Sequence, residues 1–397
     1  MKSSINNRLT AIRRAVGLGA SYLMPRNRRK WVFGGLGNDN NAAYLFIWLN
    51  ENNRFGIKPV WLGTRDTVKK MRSLGYKAHT RYGLPALWHS LTSGVWLFTS
   101  YISELRTYAH GPALLVNLWH GVGIKSIERK ISSGPLAEFY AEKSWVHRMN
   151  HHDKFKRPDA ILSTSPMMTA HFSQCFDVNP QKCIEAGYPR CEILTMSLPE
   201  VDAFVEKHFD SALRDNYSRM RSYSHVVFYL PTWRDSGRDF IASGRMDFGR
   251  INAIMKEQNA VFVFKPHINT VMPDNLKRQY SNVMFLDPRT ELYPLLRLAD
   301  ILVTDYSSVY YDYLLRPDGR TIFFIPDYEE YIGSERDLAF PFDENTSGVK
   351  AYSIEEFEKA LENRAADAPD TSAVKAKFWT SPEDSNERIV REILNRI

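Results

Sequence analysis

The chain has 397 residues, 44% of them apolar and 24% charged, with a formal net charge of +7; this is an ordinary composition, long enough for two domains or one large one around a sizeable core. No stretch approaches the roughly 18 uninterrupted apolar residues of a membrane-spanning helix, and the N-terminus lacks an apolar signal core, so the chain is expected to stay in the cytoplasm. Cys175, Cys183 and Cys191 are spaced eight apart with no histidine pattern to complete a zinc site, which excludes a metal ribbon and reads as reduced thiols.

The positive charge is concentrated at the N-terminus. Residues 1–30 contain Lys2, Arg8, Arg13, Arg14, Arg26, Arg28, Arg29 and Lys30 and no acid, leaving 44 basic against 45 acidic residues in the remainder, a balance of −1. Leu9, Ile12, Val16 and Leu23 recur at helical spacing within this segment, which sets an apolar stripe beside the basic residues, as in an interfacial helix on an anionic membrane surface. A basic helix packed on its own domain is the alternative.

Beyond residue 30, short apolar runs alternate with amphipathic stretches, the pattern of parallel strands joined by crossover helices, so the expected class is α/β. Strands are predicted at 31–33, 59–62, 95–98, 114–118 and 160–162, with a helix over 42–49. From about Pro189 to Ser224 the chain turns polar and helix-like, and a domain boundary is placed there. The strand rhythm resumes at 226–230, 261–264, 283–286, 301–304 and 321–325, with helices over 292–298 and 309–315. Ile389, Ile393 and Ile397 lie four apart on one stripe of a C-terminal helix. The expected organisation is a membrane-association segment (1–30), an acceptor-side domain (31–190), a linker (191–223), a donor-binding domain (224–380) and a final helix (381–397), with two similar halves facing across a cleft.

In open α/β sheets ligands bind at the carboxyl ends of strands, so polar residues just after a strand are the ones to inspect. Trp119-His120-Gly121-Val122-Gly123-Ile124-Lys125 closes one apolar strand. Its glycines would let backbone approach a ligand, and an imidazole is suited to take a proton from an attacking hydroxyl, which makes His120 a candidate general base. A hydrogen-bonded histidine at a turn is the competing reading. Phe264-Lys265-Pro266-His267 closes another strand, where His267 as donor and Lys265 as cation could hold phosphate oxygens, although Lys265 reads equally as a surface lysine. Thr304-Asp305-Tyr306-Ser307-Ser308, running on to Asp312, places small hydroxyl residues at a helix start, which suits either a phosphate or plain capping. Arg234, after Tyr229-Leu230-Pro231-Thr232-Trp233, could clamp a pyrophosphate or simply pair with Asp235. The loop Gly34-Gly35-Leu36-Gly37-Asn38-Asp39-Asn40 resembles a dinucleotide loop only loosely, and Asn38 and Asp39 are read as acceptor-side. There is no Gly-x-x-x-x-Gly-Lys-Ser/Thr loop, no His-Glu-x-x-His and no Asp-x-Asp pair, so no tightly bound cofactor is expected and a divalent metal is not indicated.

Taken in order, Trp119-His120-Gly121 with Lys125, Gly187-Tyr188-Pro189-Arg190, Pro231-Thr232-Trp233-Arg234, Lys265-Pro266-His267 and Thr304-Asp305-Tyr306-Ser307-Ser308 closely resemble the CDP-glycerol glycerophosphotransferase family of teichoic acid and capsule synthesis. The resemblance implies a GT-B fold of two Rossmann-like domains, peripheral attachment to the inner membrane face, and a CDP-glycerol or CDP-ribitol donor whose alditol phosphate passes to a hydroxyl acceptor, lipid-linked or a polysaccharide, with release of CMP. It implies that His120 and His267 are essential and that Asp305, Ser307 and Ser308 help bind the donor phosphates. Gly121-Val122-Gly123-Ile124-Lys125 stands where the family often reads Gly-Thr-Pro-Leu-Lys, which leaves the acceptor open. A sugar-nucleotide glycosyltransferase or epimerase of the same architecture is the runner-up. Nucleic-acid binding would suit the high pI, but the charge lies in one terminal segment and no recognition motif accompanies it. Homo-oligomerisation is left open.

Overall fold

The structure, a computed structural model, describes residues 2–35, 37, 40–132, 134–232, 246–266, 280–334 and 338–397. The chain divides into two compact units: residues 1–120, 127–192 and 379–397 form the first, and residues 121–126 and 193–378 the second.

The first unit is built on seven strands: β1 Asn27–Gly35, β2 Lys58–Gly63, β3 Ala78–Thr80, β4 Ser93–Phe98, β5 Leu114–Asn117, β6 Ala160–Ser163 and β7 Cys183–Glu185. They form one sheet in the order β3-β2-β1-β4-β5-β6-β7 with every neighbouring pair parallel. A parallel sheet is covered on both faces by its crossover helices, which is why the central strands read as unbroken apolar runs. Trp31, Val32, Phe33, Trp96 and Leu97 are all fully buried. The strand order reverses between β1 and β4. Gly34 and Gly35, at the end of β1, are required by packing: a Cβ on Gly34 would stand 2.7 Å from Leu105 Cγ, and one on Gly35 2.6 Å from the Trp61 ring.

The second unit has six strands, β8 His225–Tyr229, β9 Ala260–Phe264, β10 Val283–Phe285, β11 Ile301–Thr304, β12 Arg320–Phe324 and β13 Val349–Ala351. Their order is β10-β9-β8-β11-β12-β13, again all parallel, with the reversal between β8 and β11. The helix Phe248–Glu257 and the helix Ile354–Glu362 lay Phe248, Ile251, Met255, Phe357 and Leu361 against Tyr229, Phe262, Phe264 and Val303. Two Rossmann-like units of the α/β class result.

Every predicted strand is present. The three that the pattern misses, β3, β7 and β13, are edge or near-edge strands of three residues, with His79, Thr80, Glu185 and Lys350 breaking the apolar run. The polar stretch 191–223 is largely structured: helices Leu198–His208 and Ser211–Arg221 belong to the second unit, the first opened by a Ser197/Glu200 capping box and the second capped by Asp210. The C-terminal helix Ser385–Leu394 packs with the first unit through buried Ile389, Val390 and Ile393, and the Ser385 hydroxyl and Glu192 carboxylate tie its start to the Gly187 and Asn386 N–H groups.

The N-terminal segment is a helix, Lys2–Tyr22. Its inner side buries Ala11 and donates Arg14 Nη1 to the Asn150 carbonyl at 2.9 Å, whereas the apolar stripe points outward: Leu9 and Ile12 are 50% exposed and Val16 67%. No helix among the described residues is long and apolar enough to cross a membrane.

Ile393→Ala is expected to destabilise the first unit by about 2–5 kcal/mol in urea denaturation followed by tryptophan fluorescence, because the cavity cannot close. Ile5→Ala, on the exposed stripe, is expected to stay within about 0.5 kcal/mol.

Candidate active site

In the first unit, β4 and β5 lie side by side, and the loops that leave their carboxyl ends meet. β5 ends at Asn117, and the chain then turns through Leu118 and Trp119 to His120. The Trp119 ring stacks beside the imidazole with centroids 4.0 Å apart and packs edge-on against Phe176 at 4.8 Å, which fixes the plane of His120 from below.

His120 Nδ1 lies 3.1 Å from Ser100 Oγ and 3.3 Å from the Thr99 carbonyl, both just past β4. A carbonyl only accepts, so the Thr99 contact suits the tautomer with its proton on Nδ1 and its lone pair on Nε2. The loop presenting these groups is itself held by Glu104, whose two carboxylate oxygens accept the N–H groups of Thr99 at 2.8 Å and Ser100 at 2.7 Å. Burial pushes the Glu104 carboxyl up, against the pull of the amides it accepts from.

Crowding by protein and the nearby Arg190 guanidinium lower the His120 pKa to about 4, while the bond to Thr99 acts in the opposite direction. The ring keeps an exposed face and therefore part of its hydration. The direction, toward neutral imidazole at pH 7, is what the chemistry draws on. Thr99, Ser100 and Glu104 carried no motif in the sequence; only their position after the apolar run 95–98 pointed to them.

Gly121 and Lys125 follow His120 in the chain but are placed with the second unit instead of the first domain. A Cβ on Gly121 would come 3.1 Å from Ser308 Oγ, so this backbone lies close against the serine. Lys125 pairs with Leu338 in an antiparallel bridge and sets its ammonium 5.4 Å over the Tyr331 ring, which stacks on Tyr306 at 3.6 Å. These contacts put the segment beside the residues read as donor-binding.

Thr304, Asp305, Ser307 and Ser308 stand at the end of β11, at the β8/β11 switch point, where open parallel sheets bind ligands. They divide into two groups. Thr304 is fully buried and donates its hydroxyl to the Leu230 carbonyl at 2.8 Å, and the buried Asp305 accepts the Thr232 N–H with both oxygens, at 3.0 and 3.1 Å, and the Tyr306 N–H at 2.7 Å. Asp312 is also fully buried and accepts the Tyr293 hydroxyl. Thr304 and Asp305 thus brace the ends of β8 and β11, while Asp312 holds Tyr293.

Ser307 is half-buried and Ser308 exposed, and Ser308 makes no side-chain cap bond. The helix they precede, Val309–Tyr313, has only five residues, so its dipole is short and the hydroxyls are the available donors. Lys265 is half-buried and donates to the Pro288 carbonyl at 2.8 Å. Asn38, Asp39, Arg234 and His267 lie outside the described residues. Among the described residues no group of three or more His, Cys, Asp or Glu side chains could hold a metal ion.

A family model described as CDP-glycerol:poly(glycerophosphate) glycerophosphotransferase matches residues 22–395. The chain is 23% identical over 390 residues to a teichoic acid poly(glycerol phosphate) polymerase of Bacillus spizizenii, covering 94% of this chain and 93% of that protein. It is 24% identical over 327 residues to a teichoic acid ribitol-phosphate primase of the same organism, covering 80% and 78%. Among solved structures, the wall teichoic acid polymerase TagF superposes with a TM-score of 0.70 at 18% identity, covering all of this chain and 98% of that one; at that identity the likeness establishes a shared fold, of the GT-B kind.

With histidine selectively labelled, nitrogen NMR is expected to show His120 as the neutral Nδ1–H tautomer at pH 7, with its titration midpoint well below 6.5. A midpoint at or above 6.5 would contradict the geometry.

Proposed function

The chain belongs to the CDP-glycerol:poly(glycerophosphate) glycerophosphotransferase family and is a CDP-alditol phosphotransferase of teichoic acid synthesis, and on that footing we propose that it transfers an alditol phosphate to a hydroxyl acceptor with His120 as general base. The observation that carries the assignment is the geometry at the end of β5, where His120 Nδ1 lies 3.3 Å from the Thr99 carbonyl, an arrangement that suits an imidazole whose Nε2 accepts a proton. In this reading the acceptor hydroxyl gives its proton to Nε2, and its oxygen attacks the phosphorus that bears the glycerol. The bond from that phosphorus to the bridging oxygen breaks, and CMP leaves with the electron pair.

Charge moves onto the CMP phosphate as the bond breaks, and stabilising it is expected to be the largest catalytic contribution. Ser307, Ser308 and Lys265, with Arg234 and His267, are assigned to that task. Thr304 and Asp305 hold the strand ends that present them. Asp312 supports the short helix behind them through Tyr293. Lys125 and Gly121 are assigned to shaping the site beside Ser308. CDP-glycerol is the donor by family; CDP-ribitol is the second candidate, because relatives named for both alditol phosphates align along most of the chain.

The acceptor in this reading is lipid-linked, and the protein meets it as a peripheral protein at an anionic membrane surface. The support is the N-terminal helix, where Leu9, Ile12 and Val16 are exposed beside exposed Arg8 and Arg13, the arrangement of an interfacial helix.

His120→Ala should lower kcat by about 10²–10⁴ while CDP-glycerol binding, followed by calorimetry, is retained. Retention of most turnover would remove His120 from the chemistry. In the wild type, kcat/KM should fall as pH drops through the His120 pKa, since protonation removes the base, and that acid limb should lie well below pH 6.5. On vesicles containing phosphatidylglycerol, the combined Leu9→Ser, Ile12→Ser and Val16→Ser variant should bind at least about tenfold more weakly than wild type; unchanged flotation would show that the stripe is not a membrane contact.

A further inference from the structure

The peptide that carries His120 adopts a conformation that its own sequence disfavours. Trp119 has φ of 51°, in the left-handed region, where an L-residue other than glycine costs roughly 1–2 kcal/mol. A bulky aromatic residue persists there only if its surroundings over-determine it.

Those surroundings are polar side chains from three separate elements. Asn117 Oδ1 accepts the Trp119 N–H at 2.8 Å. Asn41, the first residue of the helix Asn41–Glu51, donates its amide to the Trp119 carbonyl at 2.9 Å and to the Leu118 carbonyl at 3.2 Å. Arg190, in the short 3-10 turn Pro189–Leu194, donates Nη2 to the His120 carbonyl at 2.7 Å, and its own backbone N–H returns to Asn41 Oδ1 at 3.3 Å. Three consecutive carbonyls, of Leu118, Trp119 and His120, are thus claimed by two side chains, and the Asn41 amide also accepts the backbone N–H of Arg190.

Both residues are costly where they stand. Asn41 is fully buried and is the one polar residue among the first nine of its otherwise apolar helix, Asn41-Ala42-Ala43-Tyr44-Leu45-Phe46-Ile47-Trp48-Leu49. Arg190 is 8% exposed, and a guanidinium at that depth carries a desolvation cost that an apolar residue would not. The same turn could be left unstrained with a glycine at position 119. What the clamp adds is a fixed direction for the next side chain and a cation beside it.

We infer that Asn41 and Arg190 are positioning residues for His120: they hold the Leu118–His120 peptides in the left-handed turn that brings Nδ1 to the Thr99 carbonyl, and Arg190 also sets a cation beside the imidazole. Neither touches the reacting atoms; each acts through the imidazole. The inference rests on His120 being the base, and it adds a geometric and an electrostatic function that can be separated, since Asn41 supplies only the first and Arg190 both.

The test is steady-state kinetics with CDP-glycerol across pH on full-length Arg190→Met, Arg190→Lys and Asn41→Leu, each first checked for folding by circular dichroism, together with Arg190→Met in the His120→Ala background. Arg190→Met should lower kcat by at least about tenfold, with KM for CDP-glycerol within about twofold, and should move the acid limb of kcat/KM up toward pH 6.5, because the cation that opposed protonation is gone. Arg190→Lys should keep the limb low and recover part of kcat. Asn41→Leu, nearly isosteric and uncharged, should lower kcat without moving the limb, and it carries the geometric claim should Arg190→Met not fold. In the His120→Ala background, Arg190→Met should cost nothing further. Wild-type kcat in folded Asn41→Leu or Arg190→Met, or an acid limb that stays put in folded Arg190→Met, would overturn the inference while leaving His120 as the base; wild-type turnover in His120→Ala alone would overturn the base assignment itself.

Discussion

A parallel strand buried on both faces has no side chain to offer a ligand until it ends. In this protein the constraint applies twice, because both sheets are wholly parallel and their central strands, β1, β4, β8, β9 and β11, are enclosed by crossover helices. Chemistry is therefore confined to the residues that follow the strands. Where the strand order reverses, at β1/β4 in one unit and β8/β11 in the other, adjacent loops leave in opposite directions and a crevice opens. His120 stands beside the first reversal, one strand over from β4, and the Thr304–Ser308 segment stands at the second.

The strand ends also impose a division of labour. A loop that must present a donor or a base in a fixed place needs its own backbone satisfied, and in both units buried polar side chains do this. Glu104 takes the Thr99 and Ser100 amides, Asp305 takes the Thr232 and Tyr306 amides, and Thr304 gives its hydroxyl to Leu230. The groups left facing outward, the His120 ring and the Ser307 and Ser308 hydroxyls, are the ones suited to proton transfer and to an anion. Asp305 lies under its loop, holding the amides of Thr232 and Tyr306, and Asp312 lies in the helix that follows, holding Tyr293.

Much of this was legible in the sequence, for physical reasons. Ten strands were visible because double-sided burial leaves long apolar runs, and β3, β7 and β13 were not, because three-residue edge strands with polar residues carry no such signal. His120 was visible as a histidine between an apolar run and two glycines. Asn41, Glu104 and Arg190 assemble around it from about 80 residues upstream to 70 downstream, and only the fold brings them together. The periodicity of Leu9, Ile12 and Val16 foretold a stripe, but periodicity does not say whether a stripe faces the core or the solvent; packing on Ala11 and Arg14 turns it outward. Chain order likewise suggested that Gly121–Ser126 stays with the first domain, whereas its bridge to Leu338 and its approach to Ser308 carry it into the second unit.

The most direct test of the account is to incubate the purified full-length protein with CDP-glycerol, CDP-ribitol or UDP-N-acetylglucosamine, with and without a lipid-linked glycerol phosphate primer, and to follow nucleotide release and the mass of the primer together. The account predicts CMP release from a CDP-alditol that depends on the primer, matched by the addition of alditol phosphate units to it. Turnover of the UDP-sugar with no CMP release from either CDP-alditol would contradict it.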